Sequence, residues 1–193
     1  LPKGEYPQFG SSLRVGLLYS VQERMSTMAK LEKIEFITLP NVRMIGREVS
    51  HSLKHGAENP VPALWGKSFG DGTVDMLKKS PLAVEGCTIG WMGDADGDDF
   101  KYIAGVIAAE NTPGPDGMQY RDISACDIAK GYIYGNLQNG EVYCSAYDLT
   151  AGGITANHFA PDDTFGWSAE IYPDELDFAE PEGTICYFLP YKK

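Results

Sequence analysis

One order of segments runs along this chain twice, and that repetition constrains the fold more than any single motif. In the first run, residues 34–39 and 42–49 read as strands, with Pro40 ending the first. A helix then starts at Asn59-Pro60, where Asn suits the cap and Pro the first turn. Trp65 and Phe69 share one face of it, and Gly70 and Gly72 separate it from residues 74–78. Strands over 87–92 and 100–108 flank the acidic hairpin loop Gly93-Asp94-Ala95-Asp96-Gly97-Asp98-Asp99. After a Pro/Gly-rich link over 111–117 the order begins again. Strands read over 118–123 and 127–134, and a helix over 139–152 is closed by Gly152-Gly153, with Tyr143 and Tyr147 on one face. Strands over 167–172 and 184–189 enclose a second acidic loop, from Pro173 to Gly183. The repeat lies in the architecture and is barely visible in residue identity.

Two such halves define an α+β fold. Together they make one sheet with two helices on one face. A cleft between the halves is the natural place for a ligand. Residues 1–31 read as an appendage to a domain over 32–193. Its first 12 residues are irregular, and 13–31 follow a helical pattern with Leu13, Leu17, Val21 and Met25 on one face.

The formal net charge of −11 argues against direct nucleic-acid binding, because such a surface repels phosphate backbones. The same charge attracts organic cations, or it simply keeps the chain soluble. Cys87, Cys126, Cys144 and Cys186 are scattered without a CxxC pair, which suits free thiols in a reducing cytoplasm and gives no zinc spacing. No membrane-length apolar run occurs, and no signal peptide is evident. The acidic hairpin loop departs from a calcium loop, since its sixth position is Asp99 and its twelfth Gly105. His51 and His55 fall in a polar stretch, so no metal is expected there, and no cofactor fingerprint is present.

Several ordered motifs carry a resemblance. They are Pro62-Ala63-Leu64-Trp65 with Phe69, then Phe100-Lys101-Tyr102-Ile103-Ala104-Gly105-Val106, then Pro115-Asp116-Gly117-Met118. Ala129-Lys130-Gly131-Tyr132-Ile133-Tyr134, Ala169-Glu170-Ile171-Tyr172 and Cys186-Tyr187-Phe188-Leu189-Pro190 complete the set, across about residues 33–193. In these the chain resembles the GyrI-like domains, the effector-binding modules of multidrug-responsive bacterial regulators of the AraC and MerR types, here in a stand-alone form. The resemblance implies two pseudo-symmetric βαββ halves that form one antiparallel sheet, a pocket between the halves with a glutamate near its floor, which maps to Glu170, and a lipophilic cation as ligand. It leaves open a regulator or DNA gyrase as protein partner, and a homodimer. No helix-turn-helix is evident before residue 33, which departs from the regulator pattern.

Strand alternation puts Ser168, Glu170 and Tyr172 on one face and Trp167, Ala169 and Ile171 on the other. If the second set faces a core, Glu170 faces water; the resemblance turns it inward instead. A buried carboxylate would be relieved by an organic cation, and aromatic rings would hold that cation by their faces. Trp65, Trp91, Tyr102 and Tyr187 are the first candidates, with Phe69, Tyr132 and Tyr147 second. Plain core packing is an equal account of each ring taken singly. A binding module is favoured over an enzyme. In the enzymatic alternative Glu170 is the general base against an electrophilic, cyclopropane-type compound, with Tyr102 or Tyr132 as proton donor.

Overall fold

The computed structural model describes residues 28–193. β1 (Lys30–Leu39) and β2 (Val42–Ser52) lead into two short helices, α1 (Val61–Gly70) and α2 (Thr73–Leu77), then β3 (Cys87–Asp96) and β4 (Asp99–Ala109). The second run is β5 (Gln119–Ile123), β6 (Cys126–Asn136), α3 (Glu141–Ala156), β7 (Ala160–Pro161), β8 (Trp167–Pro173) and β9 (Glu182–Lys192). The helix expected over 13–31 falls mostly outside the described residues, and its last two, Lys30 and Leu31, belong to β1. No helix among the described residues is long and apolar enough to cross a membrane.

All strand pairings are antiparallel, in the order β1-β6-β9-β8-β3-β4-β2-β5, with β7 beside β9. The two βαββ halves, β2-α1/α2-β3-β4 and β6-α3-β8-β9, meet where β3 pairs with β8 and Gly90 faces Glu170. The edge strands are exchanged. β1 precedes the first half but pairs with β6 of the second, and β5 precedes the second half but pairs with β2 of the first.

That exchange bends the sheet. Only Pro40 and Asn41 separate β1 from β2, so Leu39 and Val42 lie within about 11 Å of each other. Yet five strands stand between β1 and β2 in the sheet order. The sheet must therefore curl until its edges meet. There the turn between β1 and β2 touches the turn between β5 and β6: Asn41 Oδ1 accepts from the Ala125 N–H at 2.8 Å. The inside of the curl is a buried cluster that includes Met44, Ile89, Trp91, Ile107, Ile171 and Phe188. The helices cover the outer face, where α3 packs on Ala129, Ile133, Ile185 and Leu189, and α2 packs Leu77 against Ile45 and Val106.

Local chemistry sets the helix boundaries. The Asn59 side chain accepts from the Val61 N–H at 3.0 Å, and Gly72, at φ 78°, breaks α1 from α2 in a conformation that favours glycine. The Gly152-Gly153 pair was expected to close α3, but the helix runs on to Ala156. A Cβ at Gly153 would come within 2.7 Å of Leu31 and 2.9 Å of Ile34, so this glycine lets the helix sit close on β1. In the acidic hairpin, Asp94 pairs with Arg121, and among the described residues no group of three or more potential ligands is placed to hold a metal.

Candidate functional site

Alternation along β3, β4 and β8 turns Thr88, Gly90, Met92, Tyr102, Glu170 and Tyr172 toward the helices, and all of these except Gly90 floor a cavity of about 310 Å³. α1 supplies one wall with Trp65 and Phe69, whose rings stack at 5.5 Å. The first turns of α3 supply the other with Tyr143 and Cys144. His51 lies stacked on Phe100 at 5.0 Å at one end, and Phe178 closes in beside Tyr172.

Glu170 is only 8% exposed, and one of its carboxylate oxygens organises the floor. Oε2 accepts from the Tyr102 hydroxyl at 2.9 Å and from the Tyr172 hydroxyl. Tyr102 in turn accepts from Trp65 Nε1 at 3.0 Å, which ties α1 to the network. Gly90 makes this geometry available: a Cβ there would lie 1.9 Å from the Tyr102 hydroxyl and 3.1 Å from Glu170 Oε2. The position opposite Glu170 is thus empty of side chain, and a phenol from the next strand fills the space.

No ion pair among the described residues involves Glu170. Burial raises its pKa above the ordinary 4.5, and the hydrogen bonds from Tyr172 and Tyr102 hold it down only in part. Burial, and then the nearby Glu170 charge, push the hydroxyls of Tyr102 and Tyr172 far up, so both remain protonated donors. Tyr143 shifts upward for the same two reasons. The result is an aromatic hollow with a carboxylate at its base and phenols around it, and no lysine or arginine among the described residues that line it. Such a site can stabilise a positive organic group, or hold a proton on the carboxylate when empty.

Of the residues singled out from sequence, Glu170, Trp65, Tyr102 and Phe69 come together here. The other four stand elsewhere. Trp91 is on the opposite face of β3, inside the curl, where its ring covers Gly93 and Arg121 lies 5.8 Å above it. Tyr132 also points to that side, donating to Glu35 at 2.7 Å. Tyr187 is buried under α3 with its hydroxyl 2.7 Å from Ser168, and the half-exposed Tyr147 packs edge-on against it at 6.5 Å. Tyr172 and Met92 in the floor and Tyr143 and Phe100 around it were not among the candidates named from sequence. For Tyr172 the signal was present, because it shares strand parity with Glu170. His51 was expected in a loop, but β2 runs through it.

No protein-family model matches this chain, and no curated protein matches it. Solved structures do. A protein of Staphylococcus aureus MU50, provisionally assigned to bacterial transcription regulation, aligns with TM-score 0.61 over 83% of this chain and 99% of its own, at 11% identity. SAV2435, solved bound to tetraphenylphosphonium, aligns with TM-score 0.63 over 83% of this chain and 94% of its own, at 11% identity. An integron cassette protein from the mobile metagenome of Vibrio cholerae gives TM-score 0.53 over 85% and 99%, also at 11% identity. At that identity the likeness establishes a shared fold.

Proposed function

We propose that this chain is a stand-alone GyrI-like domain that binds a lipophilic organic cation in the cavity above Glu170. The observation that carries the reading is a desolvated carboxylate with two tyrosine donors and no cationic partner among the described residues. Desolvation of an isolated carboxylate costs several kcal/mol, and a positive guest offsets it. Each ring face turned to that guest adds roughly 0.5–2 kcal/mol. Burial of the guest's apolar surface supplies the remainder, and Glu170 supplies the choice of charge. SAV2435, which shares the fold, was solved with a ligand of this chemistry. The natural setting is the cytoplasm, where such a domain senses or sequesters drug-like cations, alone or with a regulator as partner.

Tetraphenylphosphonium is the probe. Titration by calorimetry should give saturable binding to the unaltered protein and at least tenfold weaker binding to Glu170→Gln. Equal affinities would remove Glu170 from the site.

One observation favours a second reading, hydrolysis of an electrophilic guest. Glu170 has a raised pKa and sits beside a protonated phenol, Tyr102, as a base and an acid would. Tyr132, on the other side of the sheet, drops out as the donor. Mass spectrometry of a cyclopropane-bearing alkylator after incubation separates the readings, because a binder returns it intact and a hydrolase returns the hydrated product.

A further inference from the structure

Thr88 lies on β3 directly opposite Tyr172, with its side chain in the floor of the cavity and only 5% of the residue exposed. The other polar side chains of that floor are joined: Trp65 to Tyr102, and Tyr102 and Tyr172 to Glu170. The Thr88 hydroxyl makes no hydrogen bond to any described residue. This hydroxyl opens onto the cavity, where valine would have the same shape and at least equal strand preference. A cavity built only to hold a ring-clad charge has no use for this group.

We propose that Thr88 is a second polar anchor of the site, and that the guest is an organic cation carrying a hydrogen-bonding group beside its charge. This rests on the cation-binding reading above and narrows it. The anchors are set by the register. Glu170 pairs with Gly90 and Thr88 with Tyr172, so the two residues are diagonal neighbours on adjacent strands, about 7–8 Å apart with the Cβ atoms closer. A cation resting on the Glu170 carboxylate places a hydroxyl, ether or carbonyl oxygen one ring's width away within reach of the Thr88 hydroxyl, which can donate or accept. The guest class is therefore an aryl or alkyl cation with one such oxygen function, and cations without one bind as poorer analogues.

The test compares tetraphenylphosphonium with its three monohydroxylated isomers, ortho, meta and para, on the unaltered protein, Thr88→Val and Thr88→Ser. At least one isomer should bind the unaltered protein fivefold or more tighter than tetraphenylphosphonium. That advantage, taken as the ratio of isomer to tetraphenylphosphonium affinity on each protein, should vanish in Thr88→Val and persist in Thr88→Ser. Thermal unfolding of Thr88→Val should be no lower than that of the unaltered protein, which separates lost recognition from lost folding. If all isomers bind Thr88→Val as they bind the unaltered protein, or none is favoured over tetraphenylphosphonium, the second anchor is refuted. If tetraphenylphosphonium itself fails to bind the unaltered protein, the failure belongs to the cation-binding reading.

Discussion

The Tyr102 hydroxyl sits 2.9 Å from Glu170 Oε2, in the space that a side chain at Gly90 would occupy. The two residues are 68 positions apart and come from different halves of the repeat. Their meeting depends on the β3–β8 seam, so the site exists only when both halves are folded together.

Gly90→Ala tests that dependence. Its Cβ would fall 1.9 Å from the Tyr102 oxygen and 2.6 Å from Cζ, so the ring must move and the hydrogen bond to Glu170 must break. The expected loss of stability is about 1–3 kcal/mol, measured by chemical denaturation, with cation affinity reduced at least tenfold.

Trp91→Phe probes the opposite face. Trp91 is 3% exposed within the curl and does not line the cavity. Truncation should destabilise the fold by about 1–3 kcal/mol while the cation affinity stays within twofold, read by denaturation and calorimetry on the same sample.

These two substitutions mark what was and was not legible in the sequence. Strand positions, the hairpin at Asp94–Asp99 and the break at Gly72 follow from local alternation and turn chemistry. Alternation also grouped Glu170 with Tyr172. It did not say which side of the sheet carries the helices, and here that question is unusually hard because the curl buries both sides. Trp91 and Trp65 therefore look equally suited to a pocket, yet one is enclosed by the curled sheet and the other by α1 and α3. The exchange of β1 and β5 is a matter of long-range pairing and left no local trace. Gly153 misled for a related reason: its small size serves a neighbour 122 positions earlier, Leu31, and not the helix end.

Stability should depend on pH through Glu170 with a definite sign. Its folded pKa is raised, so the folded state holds this proton more tightly than the unfolded chain. The stabilisation is complete below the ordinary value of 4.5 and is lost as pH rises through the higher folded value. Glu170→Gln keeps the shape without the charge. Its stability relative to the unaltered protein should therefore climb across that window and level off above it, reaching on the order of 1 kcal/mol or more. A pH series of thermal unfolding midpoints for both proteins measures this.

A cation held on Glu170 must displace any proton the buried carboxylate carries, so proton release on binding reports the contact between guest and Glu170. Calorimetric titrations with tetraphenylphosphonium in buffers of different ionisation heat count protons exchanged on binding. Just above pH 4.5, where the pKa raised by burial keeps part of Glu170 protonated, the unaltered protein should release a fraction of a proton per cation bound, and Glu170→Gln none. Tight binding by the unaltered protein with no proton released just above pH 4.5 would contradict capture of the cation by Glu170.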